Sequence, residues 1–330
     1  MKFKLKGLGQ VFVRACQGFM KDNVPKLSAS LAYYTLFSLG PMMIVIITLA
    51  DVFWGRQAIE GALFGQVRKL VGDAAASQIQ EIIKNASVSG STTLAAIVGI
   101  LTLFLGATTV FAEIQDSINL IWKLRVKTKR GWVKMLLNRL LSFSLVVSLG
   151  FLLMVSLLLN TLIEVFMNKL QEALPHTAVT LFYILNLVIS VLIIWFLFAI
   201  IFKVLPDAII GWRHVGVGAF FTALLFILGR IAISFYIGRS NIGSTYGTAG
   251  SLVVLLLWVY YSAIILYFGA EFTKSYAVAF GDEIKPNDYA VMVQTIDVES
   301  GRKNVQENER DAHAIAVNLQ KAHDDMKEAN

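Results

Sequence analysis

The sequence is short of the residues that enzymes and secreted scaffolds depend on. A single cysteine, Cys16, in 330 residues excludes an internal disulfide and a cysteine-based zinc site. There are four histidines, His176, His214, His313 and His323, and none forms an H-x3-H or H-E-x-x-H pair. His313 and His323 stand beside Asp311, Asp324 and Asp325 in a polar stretch that reads as solvated surface. The G-x-x-x-x-G-K-[ST] phosphate loop and the G-x-S-x-G nucleophile elbow are both missing. Charge is scarce too, at 15% of residues against about 25% in an ordinary soluble domain. The expectation is a protein that is not an enzyme, with no cofactor and no metal.

Apolar residues are what the chain has in excess. They make up 56% of it and lie in six nearly charge-free blocks, at 28–51, 92–111, 140–163, 178–202, 215–237 and 252–270. That distribution excludes a soluble globular enzyme, a disordered chain and a disulfide scaffold. Each block has about the 20 residues a helix needs to cross roughly 30 Å of hydrocarbon. Lipid offers the backbone no partners, so spans must be helices or a closed barrel. Runs such as Leu252-Val-Val-Leu-Leu-Leu-Trp258 do not alternate as barrel strands do. The predicted fold is an all-α integral membrane protein with six transmembrane helices over 28–272, between an N-terminal segment 1–27 and a polar tail 273–330.

The formal charge of +7 is unevenly placed. Segment 1–27 has six basic residues and one acid. The loop 123–139 holds Lys123, Arg125, Lys127, Lys129, Arg130, Lys134 and Arg139 with no acid. Lys203 and Arg213 flank the turn after the fourth span, whereas the alternate loops are poor in basic residues. By the positive-inside rule both termini are cytoplasmic. The start of the chain is basic, but Arg14 interrupts the apolar stretch that follows, so no cleavable signal peptide is expected. Loop 123–139 has only Trp132 among its cations. That is not the aromatic platform of a nucleic-acid binder, so contact with anionic lipid headgroups is the expectation.

Two regions outside the spans carry helical periodicity. In 54–91, Ile59, Ala62, Leu63, Val67, Leu70 and Val71, then Ile79, Ile82 and Ile83, predict amphipathic helices on the outer membrane face. In 5–21, Leu5, Leu8, Phe12, Ala15, Cys16 and Phe19 predict one apolar face of an inner interfacial helix. The tail beyond Thr273 carries 7 basic and 11 acidic residues and predicts a solvated cytoplasmic segment.

Charge and irregular backbone within the spans mark the candidate functional residues. An arginine near mid-bilayer costs about 2.5–3.5 kcal/mol on insertion scales, so Arg230 is expected to face the bundle interior, a polar cavity or an acidic partner. Asp51 is the partner suggested by depth. Glu113, Asp116 and Glu271 are expected as an inner-side acidic cluster, within reach of Lys123, Arg125 and Lys274. Pro41 should kink the first span. Gly243, Gly247 and Gly250 allow irregular backbone or close helix approach before the last one.

Several segments together resemble the bacterial YihY/BrkB family. They are Leu31-Ala-Tyr-Tyr-Thr-Leu-Phe-Ser-Leu-Gly-Pro41, Asn119-Leu-Ile-Trp122, Leu205-Pro206 with Trp212-Arg213 and Gly218-Ala219, Tyr246-Gly-Thr-Ala-Gly-Ser-Leu252, Leu257-Trp-Val-Tyr-Tyr-Ser-Ala263 and Gly269-Ala-Glu-Phe272. They occur in order between about residues 10 and 275. The resemblance implies a six-helix protein of the bacterial inner membrane. It also brings an old label, a tRNA-processing ribonuclease, which the sequence does not support because no nuclease constellation is present. Other members are linked to export and to the envelope, and Arg230, the Pro41 kink, the glycine-rich entry to the last span and the outer amphipathic helices lead to the expectation of a transporter or exporter of a small or amphipathic solute, lipid-linked solutes included. The alternative is a non-transporting scaffold that binds envelope-assembly proteins. The expected partners are the bilayer, its anionic headgroups and an unidentified solute, and no nucleic acid.

Overall fold

The computed structural model describes residues 5–38, 109–126, 176–239, 250–280 and 284–293, with 64, 77, 80, 106 and 315 as isolated positions. Helix α1 spans Leu5–Lys21. A turn at Asp22 and Asn23, with Asn23 at φ 52°, leads into α2, helical over 24–38. Helix α3 covers 109–121 and ends in a turn at Trp122 and Lys123, with Lys123 at φ 58°, before strand β1, Leu124–Val126. Then follow α4 (His176–Val204), β2 (Ala208–Ile209), α5 (Trp212–Arg239), α6 (Gly250–Phe280), β3 (Lys285–Pro286) and β4 (Ala290–Met292).

Helices α4, α5 and α6 are apolar around their whole circumference, the pattern of helices with no aqueous face. Within them, Trp212–Ile233 and Leu252–Phe280 are long and apolar enough to cross a membrane, and Val188–Val204 is a shorter apolar helix. Helix α1 is different, with apolar and basic residues segregated around its axis. Its buried residues are Val11 and Ala15, which pack on Phe272 and Tyr276 of α6. Phe12 is 44% exposed and Cys16 is exposed. Val11 thus joins the packed face, Phe12 is partly exposed yet meets Phe221 and Phe268 edge-on at 6.4 and 5.8 Å, and Cys16 lies outside that face.

One core joins helices α2 to α6. Val24 and Leu31 of α2, Ile114 and Ile118 of α3, Phe198 and Phe202 of α4, Val215 and Ala219 of α5, and Leu266 and Ala270 of α6 all belong to it. Helices α5 and α6 are interlocked by a reciprocal pair of notches. Gly218 receives Thr273, and Gly269 receives Thr222, so that a Cβ at either glycine would collide with the facing threonine. Each hydroxyl donates 2.7 Å to the carbonyl one turn earlier on its own helix, Thr222 to Gly218 and Thr273 to Gly269. The polar atoms are thus satisfied locally while small residues let the backbones close up.

Two short antiparallel ladders lie beyond the helix ends. Leu124, Arg125 and Val126 pair with Met292, Val291 and Ala290, and Ala208 and Ile209 pair with Pro286 and Lys285. The α3 exit and the α4–α5 turn are thereby tied to the segment after α6. Helix α6 itself continues ten residues beyond the predicted span limit at 270, to Phe280. Met1–Met292 form one compact unit, so the first part of the predicted polar tail belongs with the helices. The spans predicted at 92–111 and 140–163 and the outer insert 54–91 lie largely or wholly outside the described residues.

Candidate functional site

Charge gathers where α1, α3 and α6 meet. Glu271, 1% exposed, places Oε2 3.1 Å from Lys274 Nζ one turn on. Lys274 Nζ also donates 2.7 Å to the Ile121 carbonyl and lies 3.4 Å from Asp22 Oδ2. Lys123 Nζ completes the set, 2.5 Å from Asp22 Oδ1. Two carboxylates therefore face two ammonium groups, and Asp22 receives both cations. Burial opposes ionisation of Asp22, but hydrogen bonding with Lys123 and Glu271 and the charges of Lys274 and Lys123 outweigh it, so its carboxyl is held below the usual range. The left-handed turn at Lys123 directs its chain toward Asp22, and the buried Trp122 donates 3.1 Å from Nε1 to the Ala270 carbonyl. Gly18 lies against the Glu271 carboxylate, where a Cβ would come within 2.5 Å of Oε2.

A second buried carboxylate anchors the neighbouring turn. Asp207, 2% exposed, accepts 2.8 Å from Asn119 Nδ2 and 3.3 Å from Gln115 Nε2. Its N–H donates 2.9 Å to Asn119 Oδ1, and its carbonyl accepts 3.1 Å from the Asn287 N–H. Amide donors from α3 thus hold the α4–α5 turn, and the turn holds the segment after α6. Burial first, and then the Asp207 charge, raise the Tyr289 hydroxyl above its ordinary value.

The predicted acidic cluster is brought together only in part. Glu271 meets Lys274 and, through Asp22, Lys123. Glu113 and the exposed Asp116 instead lie within electrostatic reach of Tyr267. Arg125 is exposed in β1 opposite Val291. Arg230 is exposed on α5. Gly250 is buried at the first position of α6. Asp51, Pro41, Gly243, Gly247, Lys127, Lys129, Arg130, Lys134 and Arg139 lie outside the described residues. Among the described residues no three His, Cys, Asp or Glu side chains are grouped to hold a metal ion.

Sequence reasoning missed Asp22, Asn119 and Asp207 as the joints of this end. Signals were present: Asp22 is the one acid among the six basic residues of 1–27, and Asn119 and Trp122 belong to a motif already singled out. What periodicity could not supply was the pairing of residues up to 252 positions apart, as between Lys274 and Asp22.

Three comparisons bear on this arrangement. The family model described as "Virulence factor BrkB" matches residues 15–290. A UPF0761 membrane protein of Pseudoalteromonas atlantica is 30% identical over 84% of this chain and 88% of its own length. Others, from Alteromonas mediterranea and Tolumonas auensis, are each 28% identical, over 84% and 77% of this chain and 90% and 81% of their own lengths. No solved structure matches.

Proposed function

The chain belongs to the BrkB family of membrane proteins, and on that premise we propose that it is a six-crossing transporter or exporter of a small or amphipathic solute in the bacterial inner membrane. Both termini are cytoplasmic in this reading, and the Asp22–Lys123–Lys274–Glu271 network closes the cytoplasmic side.

One observation carries the proposal, an asymmetry along α5. Near its start, the row Val215, Ala219 and Ala223 is fully buried. Further along the same face stands Arg230, and it is exposed. A helix face buried near its start and exposed at an arginine further along, among the described residues, fits one stage of an alternating-access cycle. The basic residues of β1 and of the loop that follows it suit the anionic headgroups of the inner leaflet.

Flux from proteoliposomes tests this directly. Reconstituted protein should release trapped carboxyfluorescein or a short-chain fluorescent lipid faster than empty vesicles, and Arg230→Leu should abolish the difference. Equal release from all three preparations removes the transport assignment. Co-purification of envelope-assembly proteins in that case moves the assignment to a scaffold, for which the exposed Phe12, Val13 and Met20 of α1 offer a docking face.

A further inference from the structure

Of the two buried acids where α1, α3 and α6 meet, Glu271 is the less compensated. Asp22 takes an ammonium on each oxygen, Lys123 on Oδ1 and Lys274 on Oδ2. Glu271 takes Lys274 alone, on Oε2. That ammonium has three N–H groups and already has three acceptors: Glu271 Oε2, Asp22 Oδ2 and the Ile121 carbonyl. None remains for Glu271 Oε1, which is buried and receives no hydrogen bond from a described residue. The backbone of α1 closes over this oxygen, since a Cβ at Gly18 would stand 3.0 Å from it.

Among the described residues, no second cation serves the glutamate. The charges that act on it are those of Lys274 and Asp22. Glu113 and Asp116 of α3 act on Tyr267, about one turn away along α6. Helix α5 meets this stretch of α6 through Gly218, Phe221 and Thr222, none of which titrates. Its His214 lies against Tyr276, more than a turn beyond Glu271. The two carboxyls are nevertheless hydrogen-bonded to each other. An ionised carboxylate only accepts, so that bond requires a proton on one of the pair. Asp22, with two cations, is the better anion, which leaves Glu271 as the donor.

We propose that Glu271 is a proton-binding site: one exchangeable proton sits on its Oε1 and is donated to the Asp22 carboxylate, holding α6 against the α1–α2 turn. A buried carboxylate with one oxygen unsatisfied is relieved by taking up a proton. Release of that proton to water leaves two carboxylates sharing Lys274 and removes the hydrogen bond between α6 and the turn. The inference deepens the transport reading by naming a coupling ion, the proton, for a chain without a phosphate-binding loop. It rests on that reading only for what the proton drives.

Infrared difference spectra of the full chain in detergent, stepped from mildly acidic to alkaline buffer, test the site without any flux. A protonated-carboxyl C=O band should be present at the acidic end, where solvated carboxylates are ionised, and should vanish at the alkaline end. Heavy-carbon labelling of glutamate in the native chain should shift the band, and labelling of aspartate should not. Glu271→Gln should abolish it, and Asp22→Asn should move its frequency by changing the acceptor. Absence of the band, a shift on aspartate labelling, or an unchanged band in Glu271→Gln overturns the proposal. Proteoliposomes separate the site from its use. Probe release from native vesicles should respond to an imposed pH gradient, and in Glu271→Gln that response should be lost. The band without any flux keeps the proton site and removes transport, whereas native flux indifferent to the gradient removes the coupling.

Discussion

Asp22 and Lys123 stand 101 positions apart in the chain and meet at 2.5 Å. Asp22 closes the turn between α1 and α2, and Lys123 occupies the left-handed position that ends α3. Lys274 of α6 reaches the other oxygen of the same carboxylate, so a single aspartate joins three parts of the chain. Removing that carboxylate leaves two ammonium groups at the junction with only Glu271 to offset them.

Asp22→Asn should lower thermal stability by about 2 kcal/mol, the scale of losing a hydrogen bond to a charged group, and Asp22→Ala by more. The pH dependence has a definite sign. The folded value for Asp22 lies below its ordinary 3.8, so its contribution is complete above about that pH and is lost as pH falls through the lowered folded value. Thermal unfolding followed in detergent across the acid range should show a shallower decline in Asp22→Asn than in the native chain. Parallel declines would mean that another group supplies the acid sensitivity.

The interlock of α5 and α6 invites a double-mutant cycle. Gly218→Ala places a methyl group against Thr273 and should cost about 1–3 kcal/mol by overpacking. Adding Thr273→Ala should recover part of that loss, because it removes the atoms in the way. Additive losses in unfolding measurements would show that the two positions do not touch.

Asn119 both donates to the Asp207 carboxylate and accepts from its N–H. Asn119→Ala should therefore destabilise the fold by roughly 1–3 kcal/mol, because it leaves buried polar atoms on Asp207 unpaired. Hydrogen exchange at Ala208 and Ile209 should rise with it. Unchanged exchange there would sever the α4–α5 turn from its proposed anchor.

Orientation is open to a labelling test in intact cells. Asn23→Cys, Arg125→Cys, Ile209→Cys and Tyr289→Cys all lie on exposed positions of the four segments that meet at one end. In a Cys16→Ser background all four should resist an impermeant thiol reagent until the inner membrane is permeabilised. Labelling of any one from outside undoes the assignment of this end to the cytoplasm.

The helices at 176–204, 212–239 and 250–280 were legible because a span is written in one stretch of composition. The limit of α6 was not. Thr273, Lys274 and Ser275 read as the start of a polar tail, yet Thr273 fills a glycine notch and Lys274 lies at the centre of the ion-pair network. Polarity there signals contact with other segments rather than release into water. Glu271 stands out in the sequence by its depth, whereas its partner Lys274 reads there as one neutralising charge among several. Asp22, just past the periodic stretch 5–21, belongs to no pattern of its own, and only the convergence of Lys123 and Lys274 on it marks it as a joint.

The two ladders set a timetable for the molecule. Leu124 emerges from the ribosome well before Met292, and Ala208 well before Pro286, yet each must wait for the later strand before its backbone is paired. The end of the bundle where these strands lie thus stays unlatched until Met292 has been made. A nascent chain stalled before that point would carry its lysines and aspartates on separate ends, not in one joined network.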